Sequence, residues 1–155
     1  MTGSETQSAP AGEGAHLVLY DGVCGLCNSL LQWLLTIDRR GVFAFAPLQS
    51  ATGRAVVERL GGDPANPTSF YVLTNYRTPH SRTLARSQAA LFVAGQLGWP
   101  WKAAAIARLV PMAVLDRAYN VIARNRYRVL GRFEQCRPPR PEFRGRFVDW
   151  TRRAV

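Results

Sequence analysis

Cys24 and Cys27 stand two residues apart in the segment Asp-Gly-Val-Cys-Gly-Leu-Cys, residues 21–27. The segment follows an apolar run at 16–20 and opens a leucine-rich stretch, so the spacing puts two thiols one helical turn apart at a strand-to-helix junction. Disulfide exchange needs an attacking thiolate and a second thiol close enough to resolve the mixed disulfide. A helix N-terminus favours the thiolate, because its unpaired N–H groups and positive dipole end face the sulfur. Dithiols of this kind lower the first cysteine from about 8.5 to roughly 3.5–7.5. Cys24 is therefore the candidate nucleophile and Cys27 the resolving thiol. Asp21 joins them as the candidate that accepts or returns the thiol proton, although an ionised carboxylate also raises a neighbouring thiol's pKa. The competing reading of Asp21 is a local cap on the turn before the helix.

Other chemistries of this stretch lack residues. A zinc site needs about four ligands, and beyond the pair the chain offers only Cys136, His16 and His80, with no second Cys-x-x-Cys. No metal or cofactor is expected, and a site built from Cys24, Cys27 and Cys136 is the weakest of three hypotheses. An aspartyl phosphotransfer site requires a second acid where Val23 stands, and a phosphate loop requires a Gly-rich run ending in Lys and Ser or Thr. Cys136 in the basic tail reads as inert, Pro67 as an ordinary loop proline rather than a cis-proline facing the dithiol, and Trp99 and Trp101 as packing residues. His16 and His80 read as a strand residue and a turn residue.

The elements that must position the thiols follow from periodicity. Residues 16–20 are continuously apolar, as in a central strand covered on both faces. From 24 to 37 the apolar residues keep helical spacing, and Cys27 shares a face with Leu31, Leu34 and Leu35, which predicts Cys27 inward and Cys24 more exposed. A second strand is expected at 42–46, a helix at 49–60, and strands at 70–73 and 81–84 paired as a hairpin. Helices are expected at 87–97 with Ser87 as N-cap, at 100–110, and from 111 to about 125. Residues 137–146, with three prolines, read as an extended surface segment. This order describes an α/β fold, a thioredoxin-like three-layer sandwich with a C-terminal helical, Arg-rich extension. The expected divisions are a disordered tail at 1–14, the core at 15–98 and the extension at 99–155.

Composition bounds the rest. At 155 residues and 47% hydrophobic, the chain suits one ordinary domain. Three cysteines are too few for a disulfide-stapled secreted scaffold, so a reducing, cytoplasmic setting is expected. No signal peptide or transmembrane helix is expected. Charge is uneven: residues 1–80 hold five arginines against six acids, whereas 81–155 hold fifteen cations against four acids. Arg117, Arg124 and Arg128 share one helical face and form a candidate contact for an acidic partner; nucleic acid is not the expected one.

The run Tyr20-Asp21-Gly22-Val23-Cys24-Gly25-Leu26-Cys27 resembles the signature of the DCC family of thiol-disulfide oxidoreductases. The resemblance extends to Arg86-Ser87, Leu97-Gly98, Ala123-Arg124-Asn125-Arg126-Tyr127, Gly131, Cys136 and Arg146-Phe147. It implies a thioredoxin-like fold and a protein-disulfide reductase activity in which Asp21, Cys24 and Cys27 correspond position for position, acting on a disulfide-containing protein or a small-molecule thiol. The alternative from another class is a binding or adaptor module, in which the basic half docks on an acidic partner, nucleic acid or a membrane surface and the dithiol acts as a redox switch or metal ligand.

Overall fold

The apolar run at 16–20 has no polar side to turn to water, and it forms a strand, β1 (His16–Tyr20), buried on both faces. Leu17 and Leu19 point into one core, Val18 and Tyr20 into the other. The computed structural model describes residues 15–63, 65, 70–98, 101–132 and 140–149. In it β1 runs parallel to β2 (Phe43–Pro47) and antiparallel to β3 (Tyr71–Thr74), and β3 pairs antiparallel with β4 (Arg82–Ala85). The sheet order is β2-β1-β3-β4. The expected hairpin is present, with Val72 opposite Leu84.

Helices cover both faces of this sheet. On one side α1 (Gly25–Ile37) buries Leu31, Leu34 and Leu35 against Phe43 and Phe45. Both rings are fully buried, each contributing roughly 2–3 kcal/mol by burial. On the other side α2 (Ala51–Arg59), capped by the Ser50 hydroxyl, lays Val56 and Val57 over Ala44 and Ala46. The alternation of Phe and Ala along β2 thus gives one thick and one thin core. α3 (Arg86–Gln96) returns to the α1 side through Ala89 and Val93, and α4 (Met112–Leu130) packs on both α1 and α3. A mixed four-stranded sheet with helices on both faces is the expected α/β architecture.

Three local expectations are corrected. Ser87 does not cap α3: the helix starts one residue earlier, with Ala85 as N-cap, so Ser87 falls inside the first turn and its buried hydroxyl donates a charge-assisted bond to the Asp116 carboxylate on α4. The helix expected from 100 to 110 is a 3-10 helix, Trp101–Leu109, and α4 continues five residues past 125 to end at Gly131, whose φ of +78° suits glycine. The segment expected to be extended holds a 3-10 helix at Pro141–Arg146, with Pro at its start where its missing N–H is harmless. Residues 1–14, Pro67, Trp99, Cys136 and 137–139 lie outside the described residues. Among the described residues no helix is long and apolar enough to cross a membrane.

The C-terminal segment is fastened to the edge strand β2. Val148 N–H donates to Phe45 O at 2.8 Å, and the Phe147 ring lies 5.6 Å from that of Phe45. Beside it Arg146 pairs with Asp38, the C-cap of α1, whose carboxylate also accepts the Val42 and Phe43 N–H groups at 3.2 and 3.1 Å. Burial lowers the Arg146 pKa even though Asp38 pulls the other way. Arg146→Met leaves Asp38 buried without its counter-charge, and a loss of about 3 kcal/mol is expected in urea unfolding.

Candidate active site

The turn after β1 is built by Asp21. Its Oδ1 accepts the Val23 N–H at 3.1 Å, closing the turn locally as the capping reading requires. The carboxylate is 2% exposed, however, and its remaining partners come from far along the chain. Gln49 Nε2 donates to Oδ1 at 2.8 Å; Tyr127 O–H donates to Oδ2 at 2.5 Å; an Arg126 guanidinium nitrogen stands 3.2 Å from Oδ2. Arg126 also donates to the Tyr127 hydroxyl, so the two residues and the carboxylate form a closed network. Burial works against the Arg126 charge, but Tyr127, Asp21 and Cys27 outweigh it and raise its pKa. Burial first, then the bond to Asp21, raises the Tyr127 pKa.

Cys24 is the N-cap of α1, in extended conformation, and its Sγ accepts the Cys27 N–H at 3.2 Å. Asn28 steadies the junction by donating to Gly22 O at 2.9 Å and Cys24 O at 2.8 Å. The sulfur thus occupies the place where an N-cap oxygen ordinarily sits, facing the helix's unpaired donors. Both thiols are free.

Their exposure corrects the expectation from helical phase. Cys24 is fully buried and Cys27 is half-buried. Phase fixed Cys24's direction relative to α1, but the chain leaving α4 covers it: Gly25 N–H donates to Gly131 O at 3.0 Å, and Cys24 bridges Arg132 in antiparallel fashion. Arg132 is itself held over the Tyr127 ring, 5.2 Å from its centroid. Cys27 points inward as expected, yet what it meets is a cavity of about 340 Å³ between α1, α3, α4 and β1. Burial, then the hydrogen bond and charge of Cys24, push the Cys27 pKa far up, with Asp21 adding to the rise and Arg126 opposing it.

That cavity is almost wholly apolar. Leu30, Trp33, Val93 and Ile122 contribute to its walls, and Asp21, Arg126, Tyr20 and Tyr119 are, with Cys27, among its polar residues. Tyr119 accepts the Phe70 N–H at 2.8 Å, which leaves its own proton to donate. Burial raises its pKa despite that bond.

Asp21, Cys24 and Cys27 are thus brought together, while Arg117, Arg124 and Arg128 lie exposed on α4 and none lines the cavity. His16 sits at the start of β1 with Nδ1 accepting Asn75 N–H at 3.1 Å, and burial lowers its pKa; His80 is exposed in a turn. Among the described residues no group of three or more His, Cys, Asp or Glu could hold a metal ion. Sequence reasoning missed Arg126, Tyr127, Tyr119 and Gln49 as site residues. One signal was available: Leu115, Tyr119, Ile122 and Arg126 recur on one helical face, and a cation on an apolar stripe needs a buried partner.

The sequence matches the family described as DCC1-like thiol-disulfide oxidoreductase over residues 18–132. It is 33% identical over 133 residues to the uncharacterized protein YuxK of Bacillus subtilis (strain 168), covering 86% of this chain and 93% of that one. It is 30% identical over 133 residues to a chloroplastic DCC family protein of Arabidopsis thaliana, covering 85% and 74%. No solved structure matches it significantly.

The raised Cys27 pKa has a measurable sign. The thiol stays protonated in the folded chain where an unfolded thiol ionises, so stability is intact below the ordinary thiol range and falls as pH rises above it. At pH 8, Cys27 in a Cys24→Ser variant is expected to react with iodoacetamide more than about tenfold slower than a peptide thiol, each pKa unit being a factor of ten in thiolate.

Proposed function

As the chain belongs to the DCC1-like thiol-disulfide oxidoreductase family, we propose that it acts as a protein-disulfide reductase through Cys24, Cys27 and Asp21. The observation that carries this reading is the Cys27 N–H donated to Cys24 Sγ at 3.2 Å on the first turn of α1. A negative sulfur gains from that bond and from the helix dipole, whereas Cys27, buried beside it, keeps its proton. The two cysteines are therefore unequal before any substrate arrives.

Cys24 thiolate attacks one sulfur of the substrate disulfide, forming a mixed disulfide and releasing the other sulfur as a thiol. Cys27 then gives up its proton, attacks Cys24 Sγ and expels the second substrate thiol, leaving a Cys24–Cys27 disulfide. Asp21, buried beside Cys27 on the cavity wall, accepts that proton. Arg126 and Tyr127 act through Asp21 by holding its carboxylate in place. Cys24 is fully buried and bridges Arg132, so a protein disulfide can meet its sulfur only after the Gly131–Arg132 segment moves aside.

Turnover of a model protein disulfide, with a thiol to recycle the protein, tests the assignment. Cys24→Ser is expected to abolish exchange, Cys27→Ser to trap substrate on Cys24, and Asp21→Asn to slow exchange about a hundredfold. Full activity in Cys24→Ser, or an inactive wild-type protein, overturns it.

A further inference from the structure

Once the dithiol has reduced a substrate it must itself be reduced, and the two cysteines offer very different routes to a reductant. Cys24 is fully buried beneath Gly131 and Arg132, whereas Cys27 stands on the wall of the 340 Å³ cavity. A space of that size admits one small molecule and lies at the small end of ordinary ligand sites. It is too small for the dithiol loop of a protein reductase. Its charged groups, Asp21 and Arg126, are paired with each other, and apart from Cys27 and the rings of Tyr20, Tyr119 and Trp33 the described residues of its walls are aliphatic or Phe side chains, so it suits a neutral molecule. A zwitterionic thiol such as glutathione would have to bury its carboxylates there without partners. The rim is apolar too, with Leu30, Trp33 and Ile122 each substantially exposed at 54, 44 and 59%. Tyr119 supplies one hydrogen-bond donor, matched to a single acceptor on the occupant.

We infer that this cavity is the binding site of the recycling reductant, a neutral, apolar small-molecule dithiol that reduces the Cys24–Cys27 disulfide from the Cys27 side. This rests on the exchange reading above. A ligand thiolate attacks Cys27 Sγ; the Cys24–Cys27 bond breaks, and its electron pair leaves on Cys24, the sulfur that the Cys27 N–H and the helix terminus stabilise. Attack at this sulfur therefore expels the better leaving group. The ligand's second thiolate then attacks its own sulfur in the mixed disulfide, closing a cyclic disulfide and releasing Cys27, which takes up a proton. The ligand, neutral when it enters, loses two electrons and two protons; the protein gains the two electrons, Cys27 takes up one proton, and the other goes to solvent, leaving Cys24 as thiolate.

The probe is dihydrolipoamide, set against dithiothreitol, a polar dithiol of comparable reducing power, with reduction of the oxidised full chain followed by thiol alkylation and mass. Dihydrolipoamide is expected to reduce the chain with saturation and at least about tenfold faster at low concentration, as burial of two or three additional methylenes provides. Octanamide, which has the apolar body without thiols, is expected to compete. Ala90→Phe, filling the cavity from an exposed position of α3, and Ile122→Asp, charging the rim, are each expected to bring the ratio of the two rates close to one. The two substitutions lie on different helices, so a folding defect in one leaves the other to decide. A wild-type ratio near one without saturation, or a ratio that survives both substitutions, overturns this inference while exchange with a protein disulfide stands. A chain that never forms the Cys24–Cys27 disulfide overturns the exchange reading as well.

Discussion

The buried carboxylate of Asp21 is the constraint on which the rest of the site depends. A carboxylate that is 2% exposed must meet donors or lose several kcal/mol, and here the donors come from the turn itself, from Gln49 before α2, and from Arg126 and Tyr127 near the end of α4. Satisfying one side chain therefore ties the β1–α1 junction to residues more than a hundred positions away. On that side α4 docks beside α1, the cavity lies between them, and Cys24 bridges Arg132 just past the end of α4.

The same placement makes two chemically identical side chains unequal. Cys24 Sγ sits at the helix terminus and accepts a direct N–H donor; Cys27, one turn later, has its pKa pushed up first by burial and then by its bond to and the charge of Cys24, with Arg126 opposing. Access differs as well, since Cys24 is fully buried while Cys27 faces the cavity.

Much of the scaffold was legible because it depends on short-range periodicity. The unbroken apolar run at 16–20 required cover on both faces, and the alternation of Leu17 and Leu19 with Val18 and Tyr20 shows both covers present. The hairpin of β3 and β4, the start of α1 at the dithiol and the helical pattern past residue 111 were equally local. Ser87 was misread because its hydroxyl answers to Asp116, twenty-nine residues on, rather than to its own helix. The prolines between 137 and 146 suggested an extended chain, whereas the described part of that segment forms a 3-10 turn that leads Phe147 and Val148 onto β2.

What the sequence by itself determined is the pair of thiols at a helix start, the aspartate three residues earlier, and the α/β order of elements around them, because spacing within a helix or strand sets which atoms are neighbours over a few residues. Tertiary structure alone decided which thiol is covered and which faces the cavity, and why an Arg-Asn-Arg-Tyr run late in the chain matters to an aspartate near its start. Those outcomes turn on contacts between elements distant in sequence, where burial and charge pairing, rather than periodicity, select the arrangement.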